Sequence, residues 1–242
     1  MHRIAFMVSC LLLASTVGAK DLVVRQRSSA GLGGQAPGEE TVYLTSDRII
    51  TDSAATRIVV DLEQKTVTSI DKEKKAYGVL TFDELRAQMD TLRKTLESLP
   101  PESRKQLSAL LDDSGPVTVK ESGKTETIAG YTAKEYAVSG GPYSGSIWTT
   151  SAVATPPSFG KWKSIEQSHG GAARRLGEAM EKVDGFPLRT RIEIKSGEQP
   201  VVLSNEVIEV KDGSPPAELL KVPPGFTKQA ARPGTPPPPP AR

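Results

Sequence analysis

Short β-strand-like segments dominate the first third of the chain, and they constrain its fold more than any other feature of the sequence. Each segment is rich in Val, Ile, Thr and Tyr, and charged or Gly-containing turns separate them at hairpin spacing. Segments of this kind pair in sequence order, which predicts an antiparallel meander. The predicted strands are Leu22–Arg27, Thr41–Asp52, Arg57–Leu62, Lys65–Asp71 and Ala76–Leu80, and the Gly- and Pro-containing residues 29–39 are predicted to form a loop.

The hydrophobic period changes from that of a strand to that of a helix at Thr81. Thr81 and Glu84 fit a capping box, and Pro100 ends the pattern, so the sequence predicts a helix over Thr81–Leu99. A second helix is predicted from Pro101. The apolar residues of the first helix share one stripe, and they are Phe82, Leu85, Met89, Leu92, Leu96 and Leu99.

Strand-like patterns return in the second half of the chain, where helical patterns are weaker. The predicted strands are Val117–Glu121, Glu126–Ile128, Tyr131–Ser139, Ser144–Thr150, Leu188–Ile194 and Pro200–Lys211, and the predicted helical regions are Phe159–Ser168 and Ala172–Val183. This order of elements predicts an α+β protein in which helices cover one face of a mainly antiparallel sheet.

The first nineteen residues have the layout of a secretory signal peptide: a positive start, a short apolar run and small residues before Lys20. We predict cleavage after Ala19 and a periplasmic or secreted protein. The apolar run is too short to span a bilayer, which takes about 20 apolar residues. The alternative is a lipoprotein signal, in which Cys10 is lipidated and the protein is anchored to the membrane. Cleavage at Ala19 would remove Cys10, the single cysteine of the chain, and His2.

Composition predicts one α+β domain over residues 20–228 and a Pro-rich disordered tail over residues 229–242. The tail contains Pro236–Pro240 and is interpreted as a solvated extension, with a spacer or a proline-recognition ligand as the alternative. The chain carries 31 basic and 29 acidic residues, a net charge of +2. This balance gives the chain no strong positive electrostatic field that would attract nucleic acid. No nucleic-acid partner is predicted.

Motifs for catalysis and for cofactor or metal binding fail in their sequence context. The run Gly31–Ala36 matches a dinucleotide-binding fingerprint, but Pro37 and Gly38 follow where the motif needs a helix. His169 precedes two glycines, as in some esterases, but no Gly-x-Ser-x-Gly elbow is present. We therefore predict a non-enzymatic protein without a metal or cofactor.

Several short motifs resemble a bacterial family called domain of unknown function 4412. They are the Ile128–Tyr131 turn between two strands, Ile147-Trp148 at the end of a strand, the hairpin from Val67 to Tyr77, the segment Gly185–Leu188 and the closing Val222–Phe226. The resemblance covers about residue 40 to residue 228. The family itself is similar in outline to the periplasmic lipoprotein carriers. It implies a curved antiparallel half-barrel whose concave face is closed by helices.

The carrier-like outline implies a space between sheet and helices that accepts acyl chains. Our leading hypothesis is therefore an apolar ligand, such as a lipid, between the sheet and the helix Thr81–Leu99. The candidate binding residues are Phe82, Leu85, Met89, Leu92, Leu96, Tyr131 and Trp148. Plain core packing is the alternative explanation of the helical stripe. The alternative function is a structural or interaction protein of the cell envelope with a solid core, and a hydrolase centred on His169 is the third hypothesis.

Overall fold

A computed structural model describes residues 20–32, 38–98, 116–161, 171–195 and 200–229. The described chain contains twelve strands in one open, curved sheet and two main helices. The strands are β1 Leu22–Leu32, β2 Gly38–Leu44, β3 Arg48–Ser53, β4 Thr56–Asp61, β5 Thr66–Asp71, β6 Ala76–Thr81, β7 Thr118–Ile128, β8 Tyr131–Gly140, β9 Tyr143–Thr150, β10 Phe186–Ile194, β11 Val201–Asp212 and β12 Thr227–Lys228. The helices are α1 Phe82–Glu97 and α2 Gly171–Met180, with a 3₁₀ turn at Ala217–Leu220, and residues 157–161 are also helical.

Two antiparallel meanders make up the sheet. Strands β1 to β6 pair in chain order, and so do strands β7 to β11. Strand β11 then pairs with β1 along the whole length of β1, from Leu22–Asp212 to Leu32–Val201, and this pairing joins the two meanders. The short strand β12 pairs in parallel with β6. The prediction of a mainly antiparallel sheet is confirmed.

Two predicted boundaries in the first meander are wrong. The predicted strand Thr41–Asp52 is two strands, because the chain turns after β2: the amide of Thr45 donates to the Arg48 carbonyl oxygen at 2.9 Å. The Thr45 hydroxyl also accepts from the Arg48 amide at 2.9 Å, so side chain and backbone both close this turn. Strand structure also extends into the predicted loop 29–39, to Leu32 on one side and from Gly38 on the other, because β11 offers β1 a pairing partner throughout.

Helix α1 begins where the capping box predicts. The amide of Thr81 donates to Glu84 Oε2 at 2.7 Å, and the amide of Glu84 donates to Thr81 Oγ1 at 3.1 Å. The helix ends at Glu97, two residues before the predicted end, and contacts β6. Leu99 and the predicted second helix lie outside the described residues.

The two faces of the sheet differ in chemistry. Alternation along β1 places Leu22, Val24 and Gln26 on one face, which we call the inner face, and Arg25 and Arg27 on the outer face. Leu22 and Val24 are buried in an apolar cluster. The outer face carries ion pairs across strands, of which Arg27–Glu39 at 3.3 Å and Arg189–Glu206 at 3.1 Å are examples. The burial of apolar surface is therefore directed to the inner face in this region.

The chain after β11 crosses the outer face of the first meander, and we call residues 213–228 the C-terminal strap. It leaves β11 in the middle of the sheet and ends as β12 at the edge beyond β6. Arg57 Nη1 donates to the Glu218 carbonyl oxygen at 3.2 Å, and Leu219 is buried. Arg57 pairs in register with Asp52, so their side chains lie on the same face. Thr51, the residue before Asp52, faces inward, so Asp52 and Arg57 lie on the outer face.

A partly buried ion-pair group lies under the strap. Asp52 Oδ1 accepts from Arg57 Nε at 2.8 Å and lies 2.9 Å from Lys72 Nζ, and the Arg57 side chain is 9% exposed. Burial alone would raise the pKa of Asp52, but the hydrogen bonds from Arg57 and Lys72 outweigh it and hold the pKa below its ordinary value. Asp52 therefore contributes to stability as a carboxylate.

We expect Asp52→Asn to destabilise the protein by about 2 kcal/mol at neutral pH, because Arg57 keeps its charge and loses its partner. The pKa of Asp52 is lower in the folded chain than its unfolded value of about 3.9. Its contribution is therefore complete above that value and is lost as the pH falls through the folded-state pKa. Urea denaturation at several pH values should show the two proteins converging in acid. Asp83→Asn is the control, because Asp83 is 91% exposed and pairs with Arg86. Even with its place in the first turn of α1, its loss should cost less than about 1 kcal/mol.

Candidate ligand-binding cavity

A partly open cavity of about 890 Å³ lies between the inner face of the sheet and helix α2. Strands β1, β2, β3, β9, β10 and β11 form its floor, and Leu176, Gly177 and Met180 of α2 form the opposite wall. The remaining wall comes from Phe159 and from the chain between α2 and β10. Floor residues include Val24, Val42, Leu44, Ile49, Ile147, Ile192, Ile194 and Leu203.

The alternation of β10 and β11 explains why the floor is apolar. Thr190, Ile192 and Ile194 follow one another on the inner face of β10, and in register they pair with Asn205, Leu203 and Val201 of β11. On α2, Leu176 and Met180 are four residues apart and so share a face, which packs against the same apolar cluster as Ile192 and Ile194. Side chains alternate every two residues in β10 and repeat about every four residues in α2, so each element has one apolar side, and these sides face each other.

Polar side chains interrupt this apolar lining at a few positions. Gln26, Thr51, Thr190 and Asn205 line the cavity from the sheet. Thr149 also lines it, but its hydroxyl donates to the Asp184 carbonyl oxygen at 2.6 Å and thereby fixes the chain that precedes β10. The cavity therefore offers a large apolar surface with a small number of hydrogen-bonding groups, which is the usual composition of a small-molecule site.

The described residues that line the cavity include no acidic or basic side chain other than the phenol of Tyr143. Burial raises the pKa of Tyr143, so it stays neutral at physiological pH. Across the described ranges, no group of three or more His, Cys, Asp and Glu side chains is placed to hold a metal ion. The lining can contribute apolar contact and hydrogen bonds to a ligand.

Four of the predicted ligand-binding side chains are described by the structure, and they lie outside the cavity lining. Trp148 is 9% exposed and belongs to the apolar core, and alternation along β9 directs it away from Ile147 and Thr149, which line the cavity. Phe82 and Tyr131 are half-buried and pack against the same core. Leu85 is half-buried on α1. None of these four is among the described residues that line the cavity.

The side chains at the other predicted positions lie outside the described residues. The side chains of Met89, Leu92 and Leu96 lie outside the described part of the structure, and so do Cys10, Ala19 and His169. A ligand site beside α1 and cleavage after Ala19 therefore stay predictions. The sequence did carry a signal for the cavity, namely the alternation over Thr190–Ile194 and the spacing of Leu176 and Met180. It did not show that these segments face each other.

The sheet, the helix and the space between them define a class of proteins in which one wide antiparallel sheet and a helix enclose an apolar cavity. The model of the family named Domain of unknown function (DUF4412) matches residues 42–226, and the chain belongs to this family. The match confirms the family resemblance drawn from the short motifs.

Comparison with solved structures gives likenesses at low sequence identity. An uncharacterized conserved protein from Thermus thermophilus is 8% identical, with 88% of this chain and 91% of that chain covered and a TM-score of 0.46. MucB is 10% identical, with 82% and 55% covered and a TM-score of 0.37. A LolA superfamily protein from Nitrosomonas europaea is 10% identical, with 84% and 90% covered and a TM-score of 0.28. Comparison with curated proteins gives no match.

Within the described residues, no helix has both the length and the hydrophobicity needed to cross a bilayer.

Proposed function

We propose that the protein is an exported, non-enzymatic binding protein that holds an apolar ligand, such as a lipid or an acyl chain, between its sheet and helix α2. The observation that carries the proposal is the cavity of about 890 Å³ with its apolar lining. Small-molecule sites commonly enclose about 300–1,000 Å³, so the volume suits a ligand of lipid size.

The distribution of charge supports a binding role. Ion pairs occupy the outer face of the sheet, whereas the described lining of the cavity is uncharged at neutral pH. An apolar surface of this kind is poorly hydrated, and an apolar ligand gains free energy by covering it. The alternative, an envelope structural or interaction protein with a solid core, requires a filled space between sheet and helix, which the cavity does not favour.

Two measurements on the full chain test the proposal. Native mass spectrometry after mild purification from a bacterial host should show the protein with a bound lipid. The neutral dye N-phenylnaphthylamine, which fluoresces in apolar surroundings, should brighten on addition of the protein. A ligand-free mass together with an unchanged dye signal would contradict a binding function. The same mass measurement distinguishes a chain that begins at Lys20 from one that is lipidated on Cys10.

A further inference from the structure

Polar side chains cross the inner face of the sheet as a band at one side of the cavity. Gln26 pairs in register with Glu40 on β2, and Ser28 pairs with Asn205 on β11. Asn205 in turn pairs with Thr190 on β10. Gln26, Asn205 and Thr190 line the cavity, so the band continues the cavity floor. Apolar residues such as Ile192 and Leu203 follow immediately along the same strands.

The carboxylate of Glu40 is held at this band. Glu40 Oε1 accepts from Gln26 Nε2 at 2.7 Å and from the Ser28 hydroxyl at 2.5 Å, and all three side chains are half-buried. These two donors are neutral, so they position the carboxylate without cancelling its charge. No Lys or Arg among the described residues forms an ion pair with Glu40.

Its neighbour Glu39 differs in this respect. Glu39 points to the outer face, where it lies 3.5 Å from Arg25 and 3.3 Å from Arg27. The two adjacent glutamates therefore have different surroundings. Glu39 forms ion pairs with arginines on the outer face, whereas Glu40 is hydrogen-bonded to two neutral side chains beside an apolar cavity. A half-buried charge acts over a longer range than an exposed one, because solvent screens it less.

We infer that the cavity selects an amphiphile whose head group donates hydrogen bonds and carries no negative charge. Its chain would lie along Ile147, Ile192 and Leu203, and its head would meet Gln26, Asn205 and the carboxylate of Glu40. An anionic head would be repelled by Glu40, which provides selection by an unfavourable contact. The inference rests on the proposed binding function and adds the ligand class.

The test compares ligands with one chain and three heads. Lauryl alcohol, kept below its solubility limit, and laurylammonium and laurate, each kept below its micelle-forming concentration, would be titrated against the N-phenylnaphthylamine complex of the full chain. We expect laurate to bind about tenfold more weakly than laurylammonium, because the two heads feel opposite energies from Glu40. Lauryl alcohol should also bind more tightly than laurate.

Two matched variants assign the selection to one carboxylate. Glu40→Gln should reduce the difference between laurylammonium and laurate severalfold, whereas Glu39→Gln should leave it unchanged. Laurate binding as well as laurylammonium to the unmodified chain, or Glu40→Gln leaving the difference intact, would overturn the inference while dye binding still supports the cavity. If Glu40→Gln does not fold, the order of the two charged ligands on the unmodified chain decides. Failure of the dye itself to bind would overturn the proposed function and the inference with it.

Discussion

Replacement of Gly177 by phenylalanine is expected to weaken binding of N-phenylnaphthylamine by at least about tenfold, equivalent to about 1.4 kcal/mol or more. Gly177 lies within α2 and lines the cavity. A benzyl group at this position would occupy space that the ligand needs. The change should not unfold the protein, because glycine inside a helix is less favourable than alanine by about 0.5–1 kcal/mol and phenylalanine also improves on it.

The control for this experiment is Gly177→Ala, which improves the helix and leaves most of the cavity open. It should bind the dye as the unmodified protein does and unfold at the same or a slightly higher temperature. Dye binding by Gly177→Phe at undiminished affinity would show that the ligand lies elsewhere, and the predicted site beside α1 would then be the next to examine.

The largest loss of stability is expected for Gly145→Ala, at about 3 kcal/mol or more. Gly145 is in the middle of β9, between Val138 of β8 and Ile192 of β10. It has φ +151°, and a Cβ atom built there would lie 2.0 Å from the Arg191 carbonyl oxygen. The obstacle is backbone, so strands β9 and β10 would have to separate, and the floor of the cavity would be disturbed with them. Urea or thermal unfolding measures the loss.

Gly130→Ala provides the comparison for backbone strain alone. Gly130 has φ +83° in the two-residue turn between β7 and β8, but a Cβ atom there would meet nothing within 4 Å. Gly130→Ala should lower the free energy of unfolding by about 1 kcal/mol, the lower end of the range for a strained backbone. Equal losses for the two variants would mean that the close contact at Gly145 relaxes without separating the strands.

The meanders and helix α1 were predictable because their signals are local. The alternation of β10 and the three-and-four spacing after Phe82 follow directly from the geometry of strands and helices. The split between β2 and β3 was missed although Thr45 and Asp47 are turn-forming residues, because the surrounding run is strongly strand-like.

The cavity was not predictable at the level of residues. The stripe of α1 is the more regular of the two helical patterns, yet α2 lies over the cavity. Which helix faces which strands is a tertiary relation, and no period within either segment specifies it. The position of Glu40 beside the cavity was unpredictable for the same reason. Its difference from Glu39 depends on which face of β2 is turned inward, and that is set by the partner strands and not by the pair of glutamates itself.

The position of β11 has a consequence for how the molecule is made. β11 is among the last segments of the folded chain to be synthesised, yet it lies between β1 and β10 at the centre of the sheet. The first meander cannot acquire its full set of partners until nearly the whole chain is available, and its closing contacts join residues as distant as Leu22 and Asp212. Long loops of this kind slow the final folding step. A growing chain therefore cannot complete its sheet until β11 is available.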